Sequence, residues 1–368
     1  METEKVIERV KQELAKITDK GNKIMFFVID TKGNPSGSLS YIYKLAKYAK
    51  DEGYNVAMLY QKSKDEDFVG VGEWLGQEYA DLEHICISDG ELSVSPSDIL
   101  FIPEIFANVM VQTKNLPCKR IAILQNYDYM VEQMPFSVQW GDLGIMECIT
   151  NTEYNKEKIN GVFPYVRTTV IQPNVDNMFD AKSVGDTPRN FVVNVIAKSQ
   201  SDINKIVKPF YWKFPMYRWV SFKDLRGMPK ETYAKELLNG EITVWVDTDS
   251  SFGYGGIEAI KAGNIVLAKR TDNQMPWYSV NGEPNDACIW FEDYDDLHKM
   301  LASVIRAVIT DDVPEKVFED RKAYEDLYNE QTTRKEFVEY LNNTIERRRK
   351  EIEGLLAEIN NGGGSNEK

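Results

Sequence analysis

The chain of 368 residues is too long for one ordinary hydrophobic core and is typical of two domains. Hydrophobic residues make up 42% of it and charged residues 28%, a balance that indicates a globular protein and excludes a disordered one. Its formal net charge of -14 disfavours general binding to nucleic acid, because the summed field repels phosphate. A local basic site remains compatible with that charge, since salt screens distant groups.

The spacing of the cysteines and the length of the apolar runs indicate the cellular compartment of the protein. No CxxC spacing or disulfide-like density is present, so four buried apolar cysteines are expected: Cys86, Cys118, Cys148 and Cys288. No apolar run approaches the ~18 to 20 residues that cross a bilayer, and residues 1–20 lack a signal-peptide core. We therefore expect a cytoplasmic protein without a transmembrane segment.

Short apolar segments alternate with helical patterns along the first half of the chain. A charged amphipathic helix is predicted over 3–18, a buried strand over 23–30, and a helix after the loop TKGNPSGS. Further strands are predicted at YNVAMLY, HICI, DILFIP, KRIAILQN and GIMECITN. This alternation is typical of a parallel sheet with helices on both faces.

The second half repeats the alternation, from FVVNVIA through YRWVSF, EITVWVD and NIVLA to ACIWF, and ends in a long charged helix. The expected fold class is α/β, with two Rossmann-like domains facing a central cleft and a long C-terminal helical segment. Pro and Gly place the linker near 177–189. The predicted parts are an N-terminal domain 1–180, a C-terminal domain 190–315, helices 316–360 packing back on the body, and a disordered tail 361–368.

Two segments can each be interpreted either as a binding site or as a purely structural part of the protein. The basic cluster at 347–350 could meet a membrane or polyanion, although neighbouring glutamates favour a solvated helix face. The aromatic residues of PFYWKFPMYRW, 209–219, could stack on a nucleobase or sugar, although packing of strand and helix is favoured. Trp245 lies within an apolar strand and is expected in the core.

A glycine-rich loop is the most informative stretch of the second half. In VDTDSSFGYGGIEAIKAG, a strand ends at Asp247, three glycines follow in a turn, and a helix is predicted to start near Ile257. Gly253, Gly255 and Gly256 would let the backbone approach a ligand, and amides at the helix start suit a diphosphate. The alternative is a tight turn whose glycines serve only packing.

Glu258 and two lysines surround this loop in the predicted sheet. The Glu258 carboxylate, just inside the helix, can accept hydrogen bonds from two vicinal ribose hydroxyls. Lys198 and Lys205 follow the first strand of this half, where the carboxyl edge of a parallel sheet faces its ligand. Together they are interpreted as a clamp that neutralises a leaving diphosphate, although each alone would be an ordinary surface lysine.

Three motifs resemble the retaining glycosyltransferases of the GT-B architecture, most closely family 4. TTVIQPNVDNMFD is similar to that family's "V-I-P-N-G-V-D-x-x-x-F", with the glycine missing. SFGYGGIEAIKAGNIVLA is similar to "F-G-x-x-x-x-E-A-x-A-x-G-x-P-V". NPSGSLSYIYKLAKYAKDEGYNV resembles the family's opening glycine loop and its following helix.

The resemblance implies roles for individual residues. Glu258 would hold the nucleotide ribose, and Lys198 with Lys205 would hold the pyrophosphate. Gly37 and Ser38 would bring the first domain's loop against the diphosphate or the transferred sugar.

The chain departs from the family at two places. A family glutamate that contacts the donor sugar is replaced by Ser250, with Asp249 beside it. Either Asp249 substitutes for that glutamate, or the donor sugar is held differently. A family histidine of the first domain is missing from LQNYDYM, where Asn126 and Asp128 are the candidates. His84 and His298 lie outside these loops and are expected to be structural or surface residues.

The predicted function is transfer of a sugar from a nucleotide-diphosphate sugar, such as a UDP- or GDP-sugar, to an unknown acceptor. Retention is implied by the resemblance, and lysines and helix amides can stabilise the leaving group without a metal or other cofactor. An epimerase of the same architecture and a non-catalytic nucleotide-sugar-binding relative are the alternatives. Modified DNA bases as acceptor are disfavoured by the net charge. Acceptor and oligomeric state cannot be read from the sequence.

Overall fold

A computed structural model describes residues 2–61, 74–79, 81–89, 92–181, 191–247, 249–271, 275–280, 283–325 and 327–362. The chain forms two compact units. The first comprises Met1–Ile171 and Arg334–Lys368, and the second comprises Gln172–Thr333. The sequence placed the boundary later, at 180–190, and separated the last helices from both domains. Within the predicted tail, 361 and 362 end the last helix, whereas 363–368 lie outside the described residues, as does 182–189 of the predicted linker.

The first unit is built on a parallel seven-stranded sheet whose order is β3-β2-β1-β4-β5-β6-β7. Its strands are β1 Lys23–Phe27, β2 Asn55–Tyr60, β3 Glu83–Cys86, β4 Ile99–Pro103, β5 Lys119–Leu124, β6 Glu147–Thr150 and β7 Arg167–Val170. Successive side chains of a strand point to opposite faces, so Ile24 and Phe26 join one core and Met25 and Phe27 another. The sheet is therefore buried on both faces, which explains its continuous apolar runs.

Helices cover both faces of this sheet. They are α1 Glu2–Thr18, α2 Gly37–Asp51, α3 Ala107–Gln112, α4 Tyr127–Gln133, α5 Glu153–Val162 and the greater part of α11 Glu330–Gly362. The α11 helix buries Phe337, Leu341 and Ile345, which recur every four residues and so form one apolar stripe. This stripe belongs to the core that also contains Phe26, which fixes the last helix to the first sheet.

The basic cluster 347–350 is paired within its own unit. Arg347 donates to Glu147 (2.9 Å), and Arg348 donates to the carbonyl oxygens of Pro96 and Pro117 (both 2.9 Å). Arg349 and Lys350 pair with glutamates one turn away on α11. These contacts support the structural interpretation of the cluster over a polyanion site.

The second unit is built on a parallel five-stranded sheet whose order is β14-β11-β10-β8-β9. Its strands are β8 Val192–Ile196, β9 Ser221–Asp224, β10 Ile242–Trp245, β11 Ile265–Lys269 and β14 Cys288–Phe291, and β12 Ser279–Val280 with β13 Glu283–Pro284 form a small antiparallel pair. Its helices are α6 Gln200–Lys213, α7 Lys230–Asn239, α8 Tyr254–Lys261, α9 Tyr294–Ile309 and α10 Glu315–Glu325. The predicted strand at 217–222 was placed too early, because Pro215–Tyr217 form a single 3-10 turn.

Several sequence predictions about burial can be checked directly. All four cysteines are buried with free thiols, and Trp245 is 1% exposed, as predicted. Within 209–219, Phe210 is completely buried and contacts the rings of Phe214 and Tyr217, so packing explains that part of the segment. In the described part of the chain, no helix has both the length and the apolar character needed to cross a membrane.

Candidate functional site

The order of the second sheet marks one edge as a binding position. Counted from β8, the order is 2-1-3-4-5, so the chain reverses direction across the sheet between β8 and β10. In open α/β sheets, ligands bind at the carboxyl ends of the two strands that flank such a switch point. Lys198 lies two residues beyond β8, and Asp247 lies two residues beyond β10.

The predicted phosphate lysine is already engaged at this edge. Lys198 Nζ lies 2.9 Å from Asp247 Oδ1 and 3.3 Å from Asp249 Oδ2. Two carboxylates therefore face one ammonium, and both Lys198 and Asp249 are more than half exposed. A diphosphate would have to compete with these carboxylates for Lys198, which the sequence analysis did not foresee.

A second basic group lies on the α6 and α9 side of the same edge. Lys205 Nζ is 3.5 Å from Asp202 Oδ1 and 5.6 Å from the centre of the Tyr294 ring. Lys269, the last residue of β11, is 5.5 Å from the same ring centre. The Tyr294 hydroxyl donates to Asp202 Oδ1 (2.9 Å), which fixes the ring that both lysines approach.

Lys269 was missed by the sequence analysis. The signal was present, because a lysine that ends a parallel strand must reach the same sheet edge as Lys198 and Lys205.

The glycine loop differs from its prediction in one respect. The α8 helix begins at Tyr254, three residues earlier than predicted, so Gly255 and Gly256 lie in its first turn and only Gly253 precedes it. Gly253 has φ +70°, a left-handed conformation that suits glycine. The Ser250 hydroxyl accepts a hydrogen bond from the Gly253 amide (2.8 Å) and so closes the turn before the helix.

All three glycines lie against other parts of the unit. A Cβ atom at Gly253 would lie 2.9 Å from Trp277, and one at Gly256 would lie 2.5 Å from the same indole. At Gly255 it would lie 3.1 Å from Ile196 and 3.2 Å from the Tyr233 hydroxyl. The packing interpretation therefore explains why glycine occupies these positions, and it is compatible with a ligand at the α8 amides.

Glu258 lies in the second turn of α8 and is half-buried. The Tyr233 hydroxyl, from α7, donates to its carboxylate, and burial together with the Glu258 charge raises the pKa of Tyr233 well above its ordinary value. Tyr233 also packs edge-on against Phe179, with ring centres 5.8 Å apart. Tyr233 thus orients Glu258, and no motif in the sequence indicated it.

Two candidates of the first unit, Gly37 and Ser38, follow β1 and so lie at a switch point, here between β1 and β4. Gly37 and Ser38 form the first turn of α2, which Ser36 caps by accepting from the Leu39 amide. Gln125 donates to the Ser38 carbonyl oxygen (3.0 Å), which links this turn to the end of β5.

Asn126 and Asp128 follow β5 but differ in their surroundings. Asn126 is 7% exposed, and its side-chain oxygen accepts from the amides of Asp128 (2.9 Å) and Tyr129 (3.4 Å), capping α4. Asp128 is exposed in the first turn of that helix. The structure therefore gives Asn126 a clear structural role.

Glu104, directly after β4, is a buried carboxyl group that the sequence analysis missed. It is 3% exposed and accepts the Asn126 amide (2.8 Å). Burial raises its pKa to about 7 despite the hydrogen bonds from backbone amides. Its position at the β1/β4 switch point makes it part of the framework that holds the β5–α4 turn.

The two histidines have structural surroundings, as predicted. His84 is half-buried on β3, with Nε2 3.1 Å from the Tyr43 hydroxyl. His298 is 1% exposed, and its Nε2 lies 3.0 Å from the carbonyl oxygen of Lys205. Burial lowers the pKa of His298, so the neutral ring is favoured there.

Comparison with known proteins identifies solved structures that share this architecture. No protein-family model and no curated protein sequence matches the chain. Solved structures do match. Sucrose-phosphate synthase from Thermosynechococcus elongatus is 11% identical, with a TM-score of 0.59, over 89% of this chain and 100% of that one.

Two further matches were solved with ligands. Anabaena HepE, in complex with UDP and glucose, is 14% identical, with a TM-score of 0.60, over 87% of this chain and 99% of its own. The pneumococcal O-GlcNAc transferase GtfA, in complex with UDP and GlcNAc, is 9% identical, with a TM-score of 0.57, over 89% and 99%. At such identities the likeness establishes the fold, and the resemblance to family 4 stays a prediction. The chain has the GT-B fold that these glycosyltransferases share.

Proposed function

We propose that this protein is a glycosyltransferase that takes a sugar from a nucleotide-diphosphate sugar. The observation that carries the proposal is the carboxyl edge at the β8/β10 switch point. There, Lys269 ends β11 and Lys198 closely follows β8. The half-buried Glu258 and Lys205 lie in the second turns of α8 and α6, which begin at the same edge. The GT-B fold and the UDP held by HepE and GtfA support a nucleotide-sugar at this edge.

Each donor-binding role follows from the chemistry of its group. The Glu258 carboxylate, oriented by Tyr233, would accept hydrogen bonds from the ribose hydroxyls. The amides at the start of α8 carry partial positive charge and would meet the diphosphate, with Lys198, Lys205 and Lys269 supplying full charges. Asp249 and Ser250 are the proposed neighbours of the donor sugar.

The rate would come from stabilising the leaving group. As the bond from the anomeric carbon to the diphosphate oxygen breaks, negative charge builds on the diphosphate. The acceptor hydroxyl oxygen forms the new bond and gives its proton to the departing diphosphate. Lysine ammonium groups and helix amides stabilise that charge without a metal, and removing one such donor costs about 3 kcal/mol in comparable sites. We further propose retention at the anomeric carbon.

The first unit would supply the acceptor side. Gly37, Ser38 and Asp128 lie in the first turns of α2 and α4, at the carboxyl edge of its sheet. Because Asn126 already caps α4, its proposed catalytic role is less well supported than that of exposed Asp128. The donor site can be tested without these residues.

A second candidate function is donor binding without turnover. It is favoured by two contacts: the Ser250 hydroxyl accepts the Gly253 amide, and Asp249 lies in an ion pair with Lys198. Both side chains thus have structural partners where a sugar contact was expected. Measuring hydrolysis of bound nucleotide-sugars separates the two functions, because a binding protein would release no nucleoside diphosphate.

The direct test is calorimetric titration with UDP, GDP and their sugars. We expect one nucleotide to bind, with its affinity lowered in Glu258→Gln and in Lys198→Ala. Lys299→Ala is the matched control, since Lys299 is an exposed lysine on α9. If no nucleotide binds, or if both site variants bind as the wild type does, the proposed function is wrong.

A further inference from the structure

Three large apolar side chains at the end of α6 are exposed, although the aromatic residues between them are packed. Trp212 is 74% exposed, Met216 64% and Trp219 56%. Phe210 and Tyr217, from the same stretch, stack in the core with ring centres 6.0 Å apart. Core packing therefore does not account for the exposed three. Contiguous exposed apolar side chains of this size mark interaction sites.

The chain around these side chains is basic, although the whole protein is acidic. Residues 203–223 contain no aspartate or glutamate, in a chain with 58 acidic residues. They contain five basic residues, of which Lys205, Lys213 and Lys223 form ion pairs with acidic residues. Lys208 and Arg218 are exposed beside the two tryptophans. Since charges separated by more than about 8 Å are screened at physiological salt, Lys208 and Arg218 act on a surface bound here more strongly than the distant acidic residues do.

The position of the patch separates it from the proposed donor site. The α6 helix follows β8 and leads to β9, which is parallel to β8, so the end of α6 lies at the amino edge of the sheet. Lys208 and Trp212 are one helical turn apart and share a face of α6. Trp219 precedes β9 by two residues and packs on Phe191. We name Lys208, Trp212, Met216, Arg218 and Trp219 the amino-edge patch.

We propose that the amino-edge patch is a docking site for an anionic lipid surface. Tryptophan suits the interface between headgroups and acyl chains, because its ring is apolar and its N–H is polar. Lysine and arginine beside it are attracted to anionic headgroups. The inference concerns binding at a surface and is independent of the proposed function, since the patch lies opposite the donor edge of the second unit.

The test is sedimentation of the full chain with vesicles of phosphatidylcholine alone and of phosphatidylcholine with phosphatidylglycerol. We expect binding to the mixed vesicles only, weakened by salt. Trp212→Ser with Trp219→Ser should lower the affinity for these vesicles. Lys208→Glu with Arg218→Glu should lower it by about tenfold or more, because anionic headgroups attract each basic charge near the surface. If the loss of Trp219 disturbs folding, the charge variant still tests the proposal, because Lys208 and Arg218 are both exposed.

The matched control is Phe318→Ser, which removes an exposed aromatic ring of the same unit on α10, where the Arg321 guanidinium lies 4.7 Å from the ring centre. It should bind the mixed vesicles as the wild type does. Brominated phosphatidylcholine in the mixed vesicles should quench tryptophan fluorescence in the wild type and not in the double tryptophan variant.

Three results would overturn the proposal. One is the absence of binding to mixed vesicles, and another is binding that the patch variants leave unchanged. The third is a wild-type protein that binds no vesicles but forms a dimer in solution, whereas the double tryptophan variant is monomeric. That result would assign the patch to a second copy of the chain.

Discussion

Replacing Glu104 by glutamine should make the first unit less sensitive to rising pH. Glu104 is 3% exposed, and burial raises its pKa from 4.5 to about 7. Its partners are backbone amides, among them that of Asn126 at 2.8 Å. Glutamine has nearly the same shape, keeps an oxygen for that amide and carries no charge at any pH.

The sign follows from the direction of the pKa change. Because the folded protein holds this proton more tightly than the unfolded chain, the stabilising contribution is complete below pH 4.5 and is lost as the pH rises towards 7. At 1.36 kcal/mol for each pH unit, the change from 4.5 to about 7 corresponds to about 3 kcal/mol. Between about pH 5 and about pH 8, the wild type should therefore lose about 2 to 3 kcal/mol that the Glu104→Gln variant keeps.

The assay is urea unfolding of both proteins at the two pH values, read by hydrogen exchange in peptides that cover β4 and β5. This readout reports the first unit separately from the second, which matters because the two units can unfold independently. The quantity to compare is the difference in the free energy of unfolding between variant and wild type, measured at each pH. Any cost of the glutamine amide that does not depend on pH cancels when the two differences are subtracted. A difference that stays constant from about pH 5 to about pH 8 would refute the reasoning.

Three further predictions concern the second unit. Tyr233→Phe should weaken nucleotide binding roughly tenfold, because the Glu258 carboxylate loses a hydrogen bond. If calorimetry shows unchanged affinity, Tyr233 serves only in packing. Gly256→Ala places a methyl group 2.5 Å from the Trp277 indole and should cost about 1 to 3 kcal/mol in urea unfolding, whereas a neutral result would mean that the indole can move. Because burial lowers the pKa of His298 below 6.5, the second unit should lose stability as the pH falls below 6.5. The His298→Gln variant should lose less stability over the same range, and equal acid sensitivity of the two proteins would contradict this.

The two-sheet α/β fold could be predicted because its signals are local and repeated. Runs such as KIMFFVID in the first half and FVVNVIA in the second are buried on both faces, and they are apolar apart from Asn194 and the charged ends Lys23 and Asp30. The boundary between the units was harder to place. The chain passes from one unit to the other at Ile171, directly after β7, and returns at Arg334 within α11. A helix that continues across a boundary gives no Pro or Gly signal there.

The candidate site could be predicted only where it depends on strand order. Lys198 was chosen as a candidate because it follows a strand, and the same rule would have selected Lys269. Tyr233 lies within α7, outside every motif identified in the sequence, and reaches Glu258 only through packing of α7 on α8. Glu104 resembled any polar residue after a strand until its burial was known. Contacts of this kind depend on tertiary structure, which motif spacing does not encode.

Ser250, which stands where the family 4 pattern has a glutamate, stabilises the turn before α8. Its hydroxyl holds the Gly253 amide at 2.8 Å, and that amide belongs to a residue with φ +70°. The turn lies against Trp277, whose Nε1 donates to the Phe252 carbonyl oxygen. Ser250 therefore helps to fix the start of α8, where the diphosphate would bind. A glutamate there would reach further towards a donor sugar but would be a poorer short-range cap, so a Ser250→Glu variant that gained turnover would indicate that catalysis, rather than binding, is what the serine limits.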